Sequence, residues 1–261
     1  MRADVVGRCM RLTVIGCSGS YPGPRSSASC YYLEAEHEGR TWRILLDLGS
    51  GALGSLQRYA DATAIDAVFL SHLHADHCLD LCGYYVMRKY HPDGPLPRIP
   101  VWGPEDTARR MAKAYDLDED PGMSEEFEFV PYPGGAVSCG PFTITPRRVV
   151  HPVTAYALRV EAGGRSLAYS GDSGVCAALE ETARDADLFL SEASFVEGPD
   201  NPPDLHLTGA QAGRTAARAG ARRLLLTHIP PWHDSEKVLA EAVGTYDGPA
   251  DLAEPGETYD V

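Results

Sequence analysis

Residues 65–77 read IDAVFLSHLHADH. The run Ala67–Leu70 is continuously apolar and ends abruptly in polar residues. Such a run reads as a short strand buried on both faces. The residues just beyond it are dense in metal-competent groups: His72, His74, Asp76 and His77. Imidazoles and carboxylates suit a borderline divalent metal such as zinc. His72 and His74 alternate, so an extended backbone points both the same way. Asp76 and His77 fall where the chain turns into a helix and can face a second ion. One ion takes at most about four protein ligands, so the cluster points to two. The competing reading is a solvated loop with chance histidines. Against it, four of the nine histidines fall in this cluster or directly at a strand end: His72, His74, His77 and His228.

The same grammar recurs along the chain. SLAYSG leads to Asp172, DLFLS to Glu192, and RRLLLT to His228. Strand ends on a rigid sheet hold side chains firmly enough for a metal site, and ligand crevices lie beyond the carboxyl ends of strands. Expected strands are Leu12–Ile15, Cys30–Leu33, Arg43–Asp47, Ala67–Leu70, Ile99–Trp102, Phe127–Val130, Phe142–Thr145, Ala155–Val160, Ser166–Tyr169, Leu188–Ser191 and Leu224–Thr227. Helices are expected at about 52–60, 78–90, 105–114, 175–185, 208–219 and 235–243, with Thr208 and Asp234 as N-caps. Gly220 stands where a C-terminal cap belongs. The fold class is therefore α/β (α+β), with stacked sheets and outer helices. One domain is expected over 10–261, preceded by a loose extension at 1–9. The acidic tail from Gly248 reads as irregular, with at most a short final strand.

The chain has 261 residues, 44% of them apolar and 23% charged, and a net charge of −14. Nucleic-acid binders usually present a basic face, so this balance disfavours a broad RNA or DNA footprint. A small anionic substrate remains open, because two metals make a site locally positive. Seven scattered cysteines read as reduced thiols of a cytoplasmic protein. Cys78 and Cys82 are small buried helix residues or, less simply, ligands. No signal peptide and no membrane-spanning run is visible. The turn GCSGSYPG (16–23) either approaches a substrate phosphate or is a tight turn between strands.

HLHADH, followed in order by isolated His151, Asp172 and His228, resembles the metallo-β-lactamase superfamily. The resemblance runs from about Leu12 to Pro231. It implies a four-layer αββα sandwich with two divalent metal ions, zinc foremost and manganese or iron as alternatives. His72, His74 and His151 match the first metal's ligands; Asp76, His77 and His228 match the second's; Asp172 matches the bridging carboxylate. Asp47, ending RILLD, matches the first motif, where it orients a ligand histidine or is simply a polar strand end. True β-lactamases lack the bridging carboxylate.

The segment SEASFVEGPDNPPDLHLTG narrows the branch. Glu192, Ala193 and His206, followed by a hydroxyl residue and a helix, resemble the ribonuclease Z branch, where the histidine reaches the scissile phosphate. Ribonuclease Z carries a long arm that grips transfer RNA. Only about twenty residues separate His151 from Asp172 here, and two strands fill them. The texture of TVIGCSGS, FLSHLHADHCLDL, LAYSGDS and LLLTHIPPW is similar to actinobacterial cyclic-nucleotide phosphodiesterases, with Ser173 where threonine is commoner. This implies hydrolysis of 3′,5′-cyclic AMP or GMP, with Asp76, His206 and Glu192 as catalytic residues, and a homodimer. Alternatives are a ribonuclease Z-like endonuclease, or a lactone or ester hydrolase on the same metals. A decayed scaffold is disfavoured because every ligand type is present.

Overall fold

The computed structural model describes residues 10–261, so the extension expected at 1–9 lies outside the described residues. The first sheet is built from β1 (Arg11–Ser18), β2 (Ser27–Ala28), β3 (Cys30–His37), β4 (Arg40–Leu46), β5 (Ala67–Phe69), β6 (Ile99–Gly103), β7 (Phe127–Pro131) and β15 (Thr258–Asp260). Its order is β15-β1-β3-β4-β5-β6-β7, with β2 beside β1. The second sheet holds β8 (Val137–Cys139), β9 (Phe142–Arg148), β10 (Tyr156–Ala162), β11 (Arg165–Tyr169), β12 (Leu188–Glu192), β13 (Leu224–Thr227) and β14 (Ala250–Leu252). Its order is β14-β13-β12-β11-β10-β9-β8.

Strand residues alternate between two apolar environments, as the pleat requires. Ile44, Leu46 and Phe69 face Leu158, Leu167 and Leu190 across the layer between the sheets. Leu45 and Val68 point the other way, into helices α1 (Ala52–Leu56), α3 (Leu81–Lys89) and α4 (Thr107–Ala114). Phe189, Leu224 and Leu226 point out toward α5 (Ala177–Ala183), α6 (Gly209–Ala219) and α7 (Ser235–Val243). Both faces of each sheet are covered, which is why these strands are apolar throughout. The result is the four-layer αββα sandwich. Each fully buried Leu or Phe adds about 1.5–3 kcal/mol.

Helix boundaries follow local chemistry. Thr208 caps α6 by accepting from the Gln211 amide while the Gln211 side chain accepts from the Thr208 amide. Gly220 closes α6 in the left-handed region, at φ 68°, and Asp234 caps α7 through the Glu236 amide.

Two expectations are corrected. The helix drawn at 78–90 is two helices, α2 (Ala75–Cys78) and α3. Asp80 divides them: its carboxylate accepts from the Gly51 and Leu53 amides at 3.0 and 2.8 Å, and its own amide donates to Leu48. The tail is not irregular. Residues 250–252 pair in parallel with β13, and 258–260 pair antiparallel with β1, so the tail finishes one edge of each sheet.

Candidate metal centre

β4 and β5 run parallel, as do β11, β12 and β13, so their carboxyl ends gather along one edge of the sandwich. Asp47 follows β4, and His72 follows β5 after Leu70 and Ser71. Asp172 follows β11, Glu192 closes β12, and His228 follows β13. His151 lies just beyond β9, where Val149 N–H donates to the Ala155 carbonyl and folds the chain back. His74 precedes α2, whose first turn supplies Asp76 and His77.

The seven expected ligands fall into two groups, and Glu192, His206 and His228 form a third cluster beside them. His72, His74, His151 and Asp172 form one; Asp76, His77, His228 and Asp172 form the other; within each group all atoms lie within 4.8 Å. In the first, His74 Nδ1 is 2.9 Å from His72 Nε2 and 3.3 Å from His151 Nε2, and His72 Nε2 is 3.6 Å from Asp172 Oδ2. In the second, His228 Nε2 is 3.1 Å from both His77 Nε2 and Asp76 Oδ2, and His77 Nε2 is 3.2 Å from Asp172 Oδ1. Ligands around a tetrahedral ion with bonds of about 2.0–2.1 Å lie roughly 3.3 Å apart. The spacings match. Asp172 Oδ1 is buried and accepts no hydrogen bond, an orphan that a cation would satisfy.

Hydrogen bonds behind the rings fix which nitrogen faces inward. His77 Nδ1 donates to Asp47 Oδ2 at 2.7 Å. Asp47 also accepts from Ser71 N–H, Ser71 Oγ and the Tyr169 hydroxyl, at 2.6, 2.7 and 2.6 Å. With its proton given to Asp47, Ser71 Oγ accepts from His72 Nδ1 at 3.1 Å. His151 Nδ1 donates to the Leu205 carbonyl at 3.0 Å. Ser194 Oγ lies 2.8 Å from His228 Nδ1 and 3.0 Å from Glu192 Oε2, so donation to the carboxylate leaves it accepting from the ring. Four histidines thereby turn Nε2 inward, and only His74 presents Nδ1. Motif reading misses Ser71, Ser194, Tyr169 and the Leu205 carbonyl. Ser71 is visible as the residue before the cluster, and Ser194 in SEAS; the other two are brought in only by folding.

Burial holds the imidazoles of His72, His74 and His151 below the ordinary range, which keeps them neutral. Burial also opposes charge on Asp76 and Asp172, but the surrounding histidines, His228 first, hold both carboxyls well below the usual carboxylate range. Neutral imidazoles beside ionised carboxylates are the forms that bind cations; His77 is the exception, since burial opposes its charge but the Asp172 and Asp47 carboxylates lift it well above the ordinary range, so an ion there would displace the proton on its Nε2.

His206 stands beside both groups. Its Nδ1 is 2.9 Å from Glu192 Oε1 and 3.9 Å from Asp172 Oδ2. Burial works against its charged form, yet the Glu192 carboxylate outweighs that and lifts it to about 9. Glu192 is itself fully buried and held by the Ser173 and Ser194 amides at 3.1 and 3.0 Å. The glycine turn packs against protein: a Cβ at Gly19 would lie 2.2 Å from the His228 carbonyl oxygen. Cys78 donates to the His74 carbonyl, with its thiol pushed up to about 12 by burial, and Cys82 packs in the apolar layer under the first sheet.

The fold, the convergent strand ends and the two donor groups define a metallo-hydrolase. A profile of the Beta-lactamase superfamily domain matches residues 42–229, and the chain belongs to that superfamily. An uncharacterized protein of Mycobacterium leprae is 47% identical across 97% of this chain and 89% of its own. The probable metallo-hydrolase YhfI of Bacillus subtilis is 30% identical over 96% of this chain and all of its own length. Its crystal structure superposes with a TM-score of 0.83, covering 96% of this chain and 98% of that one. A ribonuclease Z of Myxococcus xanthus is 29% identical over 97% of this chain and 98% of its own.

Proposed function

We propose that this protein is a dinuclear-metal phosphodiesterase acting on 3′,5′-cyclic nucleotides, with His72, His74, His151 and Asp172 holding one ion and Asp76, His77, Asp172 and His228 the other. When bound, the ions supply Lewis acidity toward the phosphoryl oxygens and the attacking water. The observation that carries the reading is the His206–Glu192 pair beside Asp172. An ester or lactone hydrolase needs the metals but not a buried carboxylate dedicated to charging a histidine. Glu192 fixes the proton on His206 Nδ1 and favours the charged imidazole, which carries a second proton on Nε2. That nitrogen has no hydrogen-bond partner among the described residues. It is placed to hold its proton toward the oxygen leaving phosphorus. Asp76, kept ionised, serves as ligand and accepts the proton of the attacking water.

A ribonuclease Z-like activity is the second reading, favoured by the Myxococcus relative. Against it, β10 and β11 occupy the interval between His151 and Asp172, and the chain carries a net charge of −14. The deciding assay is hydrolysis of cyclic AMP by zinc- or manganese-loaded protein, with precursor transfer RNA in parallel. Cyclic AMP turnover that disappears in Asp172→Ala, without RNA cleavage, is expected. Cleavage of RNA alone moves the protein to the second reading. Hydrolysis of a lactone but not of bis-p-nitrophenyl phosphate defeats both.

A further inference from the structure

Beside the metal cluster lies a cavity of about 610 Å³ that has His74 in its wall. This falls within the range of ligand pockets, about 300–1,000 Å³. One side is helix α4, whose sequence TARRMAKA buries Thr107, Met111 and Ala112 and sends Arg109, Arg110 and Lys113 to the other face. The opposite side is the β9–β10 hairpin, which adds Arg148. Four cations thus meet in one cavity of a chain whose net charge is −14. The cavity also contains Glu105 and Asp106, but only Arg109 is paired, with Asp106 at 3.0 Å. Among the described residues, Arg110, Lys113 and Arg148 have no carboxylate within ion-pair distance. Like charges held together without partners destabilise a fold slightly, so structure alone gives no return for the arrangement.

A cyclic mononucleotide carries one phosphate charge, and the metal cluster takes it. The three unpaired cations would then outnumber Glu105, the one carboxylate of the cavity without an ion pair among the described residues. We infer that this cavity binds a second phosphate of the substrate, so that phosphodiesters bearing an additional phosphate group are held in preference to cyclic mononucleotides. His74 is common to the cluster and the cavity wall, so one molecule can reach both. The inference rests on the phosphodiesterase reading and adds substrate selectivity to it. Arg110, Lys113 and Arg148 are the binding residues.

Calorimetry on zinc-loaded protein tests it, comparing adenosine 3′,5′-bisphosphate with adenosine 5′-monophosphate. One or two added charge-assisted hydrogen bonds give an expected preference for the bisphosphate of about 10- to 100-fold. Lys113→Glu and Arg148→Glu, both at exposed positions that folding tolerates, should each cut that ratio to about twofold or less. Equal affinities in the wild type, or a ratio that survives both reversals, overturn the inference. So does free phosphate that tightens monophosphate binding as much as the second phosphate does, since the cavity would then be a separate effector site. Bis-p-nitrophenyl phosphate has no second phosphate and tests the phosphodiesterase reading alone. Its hydrolysis alongside a ratio near one removes the cavity's role and leaves that reading intact; no hydrolysis alongside a high ratio does the reverse.

Discussion

A carboxylate buried to 0% exposure and bonded through both oxygens is expensive to keep, and Glu192 is one. Its Oε2 is taken by the Ser194 amide and hydroxyl, and its Oε1 by the Ser173 amide and His206 Nδ1. Only the last bond leads toward the open side of the cluster. Glu192→Gln keeps the shape but removes the charge and turns an amide N–H₂ toward a donor on one side. The loss of one positioned proton donor typically costs about 10²–10⁴-fold in rate. A fall in kcat of at least about 100-fold is expected for Glu192→Gln, with KM changed by no more than a few-fold and two metals per chain retained by elemental analysis. His206→Ala should match it, and the double variant should be hardly worse, because the pair acts as a unit. A lowered metal content in Glu192→Gln would instead give it a supporting role toward His228 through Ser194.

At the scale of elements, the site depends on how closely backbone segments approach. The loop after β4 runs directly beneath α2, and Leu48 N–H donates to the His77 carbonyl at 2.8 Å. A Cβ at Gly49 would lie 1.9 Å from the Asp76 carbonyl oxygen, so only glycine lets the two segments meet. Gly49→Ala should push α2 away, lose about 1–3 kcal/mol of stability and weaken metal binding at the Asp76–His77 group more than at the other. Sequential metal titration of the variant reads this; unchanged affinity at both sites would show that α2 is positioned from elsewhere. Such approaches explain how much of the molecule is legible in the sequence. The ligand strands announce themselves because apolar runs end in His or Asp, a local signal that owes nothing to distant contacts. The break at Asp80 is hidden because its partners, Gly51 and Leu53, sit about thirty residues earlier. The tail strands ADL and TYD carry little apolar pattern; they exist because β13 and β1 offer open edges. Arg148 and α4 share a cavity only once the two sheets are stacked.

Across the whole molecule, the ligands divide between the two sheets. His72, His74, Asp76 and His77 belong to the first, and His151, Asp172 and His228 to the second. Each donor group mixes both sources, so each ion would clamp the sandwich along this edge. The rest of the interface is held by the apolar layer between the sheets, which needs no metal. The protein should therefore fold without metal and gain stability with it. An unfolded chain scatters the seven donors and binds far more weakly, so the gain follows RT ln(1 + [L]/Kd). At free zinc about a hundredfold above Kd, each site contributes about 2.7 kcal/mol, and the two together raise Tm by roughly 10–20 °C for a domain of this size. Chelation should reverse the shift while far-UV circular dichroism stays constant. The contrast with Asp172→Ala makes the test specific, since that one change removes a donor from both groups and should abolish most of the metal-dependent rise. If Asp172→Ala keeps the full metal-dependent rise in Tm, neither ion depends on that carboxylate, and the bridging place assigned to Asp172 fails.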